Sequence, residues 1–298
     1  MERRHALVAN VALVNTMNSR DSERLGALFD PFRDPYLADP YAFFADARSA
    51  TPVFYSPLIK YWVVTRYKDI GQIFESPKRF SASNALSPIQ PPCAEARHLL
   101  SEGGVSPVPT LTNVDPPAHT RVRRLANAAF KPKRVAVMEP FVRELVIRFC
   151  EKHLVGGHAD LIRDFAWELP ALVIFRLLGI PDEDVPRVKA GAESRLLFMF
   201  GQPTEEEQCR LARGMAAFWS YAGELVASRA KEPREDITSD LLLARDGDLP
   251  ALTHAEVTTI IYGLLLLAMK PRPICSATPS ASCSANARLG RRYAKTRR

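Results

Sequence analysis

The stretch from Thr253 to Ala268, T-H-A-E-V-T-T-I-I-Y-G-L-L-L-L-A, is almost wholly apolar after Glu256. Thr253 and Glu256 form a T-x-x-E capping box, so a helix starts here. A helix that is apolar on every side can only be satisfied deep in a core. The run is too short to span a bilayer. The rest of the chain must therefore supply other helices to surround this one. At 298 residues it is long enough to do so, as one large domain or two ordinary ones.

A second stretch carries the chemistry. Asp115 to Phe130 reads D-P-P-A-H-T-R-V-R-R-L-A-N-A-A-F. Asp115 is expected as the N-cap, with Pro116 and Pro117 in the first turn, where a missing N–H costs little. Val122, Leu125 and Ala129 recur at helical spacing and form the buried stripe. His119 and Arg123, spaced i and i+4, share one face, and Arg121 and Arg124 flank it. An imidazole and a guanidinium aimed one way suit a pair of carboxylates. Basic residues on a helix are more often a solvated face, so the setting of this pair matters.

The setting is a helix-rich chain with one small β element. Phe29 to Ala50 passes from loop punctuation into a helix near Asp39–Pro40, which Thr51–Pro52 ends. Val53–Tyr55 and Tyr61–Thr65, separated by S-P-L-I-K, read as a hairpin, and Arg66–Glu75 as the next helix. Ser81 to Asn113 holds five prolines and is expected as a long loop. Val135 to Leu154 is amphipathic, and Gly156–Gly157 stops it. Asp160 to Leu178 ends cleanly at L-L-G-I-P. Val185 to Ala230 gives two or three helices broken at Gly201–Pro203, and Asp236 to Asp248 a short helix and a turn. The fold class is mainly α with a small β-hairpin.

In this order, the stretch at 115–130 closely resembles the C helix of bacterial cytochromes P450, in which an H-x-x-x-R pair binds the two haem propionates. The helix–hairpin–helix start followed by R-F-S, the run L-L-G-I-P-D-E-D, and the apolar helix at 253–268 are similar to the same family. The resemblance covers about Phe29 to Leu267 and implies the N-terminal portion of the cytochrome P450 fold, with His119 and Arg123 as haem-binding residues. It implies a monooxygenase acting on a small organic substrate with electrons from a ferredoxin and its reductase. It places the 81–113 loop over the haem and Leu196–Gly201 above the substrate.

After Ala268 the character changes abruptly. Residues 269–298 contain three prolines, eight Lys or Arg and no acid. Subtracting those eight from the overall charge of +7 leaves −1 for the first 268 residues, so the basic balance belongs to the tail. The family's helix continues here with Gly and an acid–Thr pair, which are missing. Codons for Met269, Lys270 and the residues beyond permit a shifted-frame reading of G-H-E-T-T-T-N-L-L-S-N-A-L-R, which does resemble that helix. The expectation is a frameshift near Leu264–Ala268 and a truncated chain, with an N-terminal extension over 1–28, a P450-like region over 29–268 and an out-of-frame tail. Met17 competes with Met1 as the start.

The family's iron ligand is a cysteine in an F-x-x-G-x-H-x-C-x-G loop after an E-x-x-R helix, and neither follows the apolar helix here. Cys275 and Cys283 lack the glycine pattern, so no metal ligand is assigned, and the chain is expected to be inactive by itself. Five scattered cysteines suit a reducing compartment, hence a cytoplasmic location without a membrane. The competing reading is a non-catalytic binding protein whose basic tail holds nucleic acid or an anionic surface. It ranks lower because the neutral body offers no basic face. His254-Ala-Glu256 imitates a zinc-deaminase H-x-E but lacks its cysteine partners, and capping accounts for Glu256 better.

Overall fold

The computed structural model describes residues 19–153, 169–192 and 194–268. Helices dominate it, with one two-stranded antiparallel sheet. The chain divides between Phe80 and Ser81 into two compact units.

The first unit contains α1 (Ser19–Leu28), α2 (Pro40–Ala50), β1 (Val53–Ser56), β2 (Tyr61–Val64) and α3 (Tyr67–Phe74). Asp39 caps α2 by accepting the Tyr41 N–H at 3.0 Å, and the Thr51 N–H closes it onto the Ala47 carbonyl. The hairpin pairs Val53 with Val64 and Ser56 with Tyr61, as the S-P-L-I-K connector implies. Phe29, Phe54, Leu25 and Ala47 are buried together. Phe29 sits among Tyr36, Phe43 and Phe54, its ring 5.3, 5.3 and 5.7 Å from theirs. Within this unit α1 packs on β1, and a Cβ at Gly26 would strike the Tyr55 carbonyl oxygen. A contact between backbone and backbone leaves no room for any other residue there.

The second unit contains α4 (Ala94–Glu102), α5 (Ala118–Ala129), α6 (Pro132–Ala136), α7 (Glu139–His153), α8 (Leu169–Leu178), a 3₁₀ turn (Asp182–Asp184), α9 (Val185–Ala192), α10 (Ser194–Phe200), α11 (Glu205–Lys231), α12 (Ile237–Leu243) and α13 (His254–Ala268). The apolar helix α13 is central, as its composition demands. It packs against α11 and α8, and Val257, Ile261 and Leu265 are fully buried with Val122, Leu125, Phe175, Leu178 and Phe218. Its capping box forms in both directions: the Thr253 N–H donates to Glu256 Oε2 at 2.8 Å, and the Glu256 N–H to Thr253 Oγ1 at 3.1 Å. Thr204 and Glu207 repeat the device at the start of α11.

Two expectations are corrected. The proline-rich 81–113 segment is not all loop, because α4 forms within it, capped by Cys93 Sγ accepting from the Ala96 N–H. A-E-A-R-H-L-L-S-E is good helix sequence, and prolines on either side hid it. The helix expected over 135–154 is split into α6 and α7. Pro140 lacks an N–H and fits only a first turn, so a new helix has to begin at Glu139. The expected stop at Gly156–Gly157 and the start at Asp160 lie outside the described residues.

The end of α8 shows how one glycine fixes a junction. Gly179 has φ +80°, and the Ile180 N–H reaches the Phe175 carbonyl at 3.0 Å while the Gly179 N–H reaches that of Arg176 at 3.2 Å. This is a Schellman stop, with Ile180 buried behind it. The Gly179 carbonyl accepts from Arg229 Nη2 at 2.5 Å, and Thr238 Oγ1 donates to the Leu178 carbonyl at 2.8 Å. The ends of α8 and α11 and the start of α12 are thereby joined through buried polar groups.

Candidate functional site

Helix α5 begins differently from the sequence expectation. Asp115 does not cap it with its side chain: Pro117 occupies the cap position and makes no side-chain cap bond. The Asp115 backbone carbonyl accepts the His119 N–H at 3.0 Å instead. Its carboxylate turns to the segment leading in, accepting from Ser81 Oγ at 2.5 Å and from the Ala82 N–H at 2.9 Å. These bonds, with His119 close by, hold the Asp115 carboxyl below the usual carboxylate range. One side chain thus ties residues 81–82 to the turn that presents His119.

From there the apolar stripe anchors the helix. Val122, Leu125, Ala126 and Ala129 are buried. At about 100° per residue, 121 and 124 fall on one flank of that stripe, and 119 and 123 on the other. The first flank is committed to the protein itself. Arg121 pairs with Glu256 and donates to the carbonyls of Pro250 and Ala251 at 3.3 and 3.4 Å. Arg124 Nε lies 2.7 Å from Asp246 Oδ2. Just beyond the helix, Arg134 grips Asp240 Oδ2 through Nε at 3.0 Å and Nη2 at 2.8 Å. All three acids lie on α12, on α13 or in the segment between them, so these pairs lock α5 to the core.

The second flank makes no ion pair or side-chain hydrogen bond among the described residues, although His119 lies in the field of the Asp115 carboxylate. His119 is half-buried and Arg123 exposed, and the Arg123 guanidinium has no ion-pair partner among the described residues. The helix therefore offers an imidazole and a guanidinium one turn apart, on a scaffold fixed from its other side. A planar guanidinium can meet a carboxylate in bidentate fashion, and an imidazole adds a single donor. Such a pair has the donors to meet an anionic group with two carboxylates, and it is the pair singled out by spacing. The flanking Arg121 and Arg124, which the sequence placed beside them, serve the fold.

The neighbouring elements are positioned by similar local bonds. Thr259 Oγ1 of α13 donates to the Ala255 carbonyl at 2.9 Å and accepts the Val108 N–H at 3.1 Å, which pins the end of the proline-rich segment on α13. Further back, the Ile89 N–H bonds to the Met199 carbonyl at 2.9 Å, laying the same segment on α10. Glu256 has two roles, in the capping box and as the partner of Arg121. Sequence spacing finds only the first, since Arg121 is 135 residues away. The sequence gives no signal for Arg195 on α10, which follows Glu193 and Ser194 and reads as the polar start of the apolar run L-L-F-M-F.

No family model matches the chain. Individual relatives do. Nocardicin C N-oxygenase of Nocardia uniformis subsp. tsuyamanensis is 31% identical over 240 residues, covering 79% of this chain and 56% of that protein. Cytochrome P450 monooxygenase PikC of Streptomyces venezuelae is 31% identical over 249 residues, covering 81% and 54%. Among solved structures, full-length CYP116B46 of Tepidiphilus thermophilus superposes with a TM-score of 0.74 at 36% identity, over 83% of this chain and 33% of that one. The CYP116B5 haem domain of Acinetobacter radioresistens gives 0.73 at 29%, over 84% and 61%. The chain spans about half the length of the curated relatives it matches, and the matched part is the N-terminal region of their fold. By sequence and by structure, it belongs to the bacterial cytochrome P450 family.

Proposed function

We propose that this chain carries the haem-carboxylate-binding part of a haem-thiolate monooxygenase that acts on a small organic substrate, with electrons drawn from a ferredoxin and its reductase. The observation that carries the reading is the sorting of cations along α5 and α6. Arg121, Arg124 and Arg134 are tied to acids of the protein, while His119 and Arg123 are left for a ligand. Two carboxylates on one flat group fit two donors one helical turn apart. In this role Arg123 would neutralise one propionate with its planar fork, and His119 would donate a hydrogen bond to the other. The pairs on the opposite flank keep both from moving when the charge arrives.

Bound haem would supply oxygen activation, which in this family needs a cysteine thiolate on the iron. The 298 residues contain no F-x-x-G-x-H-x-C-x-G run. Cys93, at the cap of α4, and Cys150 and Cys209, on α7 and α11, are free thiols. The chain by itself is therefore expected to hold haem weakly and to give no turnover. The shifted-frame reading beyond residue 268 supports a frameshift as the origin of this state. No helix among the described residues is long and apolar enough to cross a membrane. Scattered free cysteines favour the cytoplasm.

The test is a titration of the full chain with haem and with its dimethyl ester, followed by Soret absorbance. Tighter binding of the free acid by about tenfold or more supports the reading, in line with charge-assisted bonds to carboxylates. Equal affinity for acid and ester contradicts it. Sequencing the locus settles the frameshift, which fails if the shifted frame meets an early stop.

A further inference from the structure

Arg195 lies in the first turn of α10 and is only 9% exposed. Its guanidinium sits over the Tyr262 ring of α13, with Cζ 4.9 Å from the centroid. It has no carboxylate partner and makes no hydrogen bond among the described residues. The contrast with Arg229, the other buried arginine among the described residues, is direct: that one meets both Asp236 and the Gly179 carbonyl. Burial opposes the charge of Arg195, and an aromatic face alone answers only part of that cost.

Beside it stands a second unanswered group. Tyr262 is 1% exposed, packed against Phe218 and Trp219 of α11 at 5.5 and 5.2 Å, and its hydroxyl has no hydrogen-bond partner among the described residues. Its ionisation is pushed up to about 12 by burial, so near neutrality it is a donor. Arginine offers N–H groups only. Two buried side chains in contact, both lacking an acceptor, call for an acceptor with negative charge.

We propose that Arg195 and Tyr262 form an anion-recognition pair that selects a small organic substrate bearing a carboxylate. This rests on the reading of Leu196–Gly201, which Arg195 directly precedes, as the segment above the substrate. Arg195 would hold the carboxylate as the specificity-determining charge, and Tyr262 would add one hydrogen bond and fix its orientation.

The full chain is titrated calorimetrically with 3-phenylpropanoate and with 3-phenylpropanamide, which have the same shape and differ in charge. The carboxylate is expected to bind at least tenfold more tightly. Arg195→Gln removes that preference, Arg195→Lys keeps part of it, and Tyr262→Phe weakens the acid several-fold without affecting the amide. Circular dichroism identifies any variant that fails to fold, in which case the lysine and phenylalanine variants carry the comparison. Equal affinities, no binding of either probe, or a preference that survives Arg195→Gln overturns the proposal. A chain that prefers the acid but cannot tell haem from its ester sinks the haem reading and leaves this one standing. The reverse pattern sinks this one alone.

Discussion

Arg229 Nε lies 2.5 Å from Asp236 Oδ2, and both side chains are 4% exposed. The pair is fully answered: the second Asp236 oxygen accepts the Ser239 N–H at 2.8 Å as the cap of α12, and Arg229 also reaches the Gly179 carbonyl. Removing one partner strands a buried charge. Asp236→Ala is expected to cost about 3–5 kcal/mol, a large fraction of the roughly 5–15 kcal/mol that holds an ordinary domain folded. Urea unfolding followed by circular dichroism measures it. A loss below about 1 kcal/mol, the level of an exposed pair, would mean that water already solvates the site.

Gly179 sits against the same pair. Its φ of +80° disfavours any other residue, and a Cβ there would run into the Asp236 carboxylate. Gly179→Ala is therefore expected to destabilise by more than the roughly 1 kcal/mol of the conformational penalty alone. The same unfolding experiment measures it. Asp236→Ala should relieve part of the extra cost, so the two effects are expected not to add.

Tyr262 and Tyr221 give the protein an alkaline signature. Burial pushes Tyr262 up to about 12, against the pull of Arg195, and burial together with the bond to Asp184 pushes Tyr221 well above the ordinary phenol range. Both fold best when protonated. Their contribution is intact below pH 10 and is lost as pH rises toward the folded-state values, because the unfolded chain gives up those protons first. For Tyr262 a rise of two units corresponds to about 2–3 kcal/mol lost by pH 12. Near-ultraviolet absorbance during a pH titration should show two of the eight tyrosines ionising late, and Tyr262→Phe and Tyr221→Phe each removing one of them.

How far the sequence carries this fold depends on where each signal sits. Ends written within four residues were legible: Asp39 and Pro40, Thr253 with Glu256, and the L-L-G-I-P stop at Gly179. The apolar character of 257–265 located the core helix without any partner in view. Helix α4 was obscured because prolines on both sides raised the weight of a loop. Asp115 was assigned a local cap, yet its carboxylate bonds to residues 33 and 34 positions away. Spacing found His119 and Arg123, but it could not separate them from Arg121 and Arg124. That distinction requires acids more than 100 residues distant, brought in by the packing of α12 and α13. Arg195 and Tyr262 meet for the same reason, through tertiary structure alone.

The capping box of α13 should behave as two coupled parts. Thr253→Ala removes one cap bond and is expected to cost about 0.5–2 kcal/mol. Glu256→Ala removes the reciprocal cap bond and also strands Arg121, so it should cost more than Thr253→Ala. Thermal melts of the two variants in one buffer compare them directly. An equal or smaller effect at Glu256 would mean that the Arg121 pair contributes nothing.

The central claim is that one helix divides its cations between fold and ligand, and a paired measurement on Arg121→Ala and Arg123→Ala tests it most directly. Each variant is melted without ligand and then titrated with haem. Arg121→Ala is expected to lose about 1–3 kcal/mol of stability through its broken pair with Glu256, with haem affinity little changed in the folded fraction. Arg123→Ala should melt within about 0.5 kcal/mol of the parent chain and bind haem about tenfold or more weakly. Equal haem affinity in Arg123→Ala and the parent chain would contradict the assignment of that flank to the haem carboxylates.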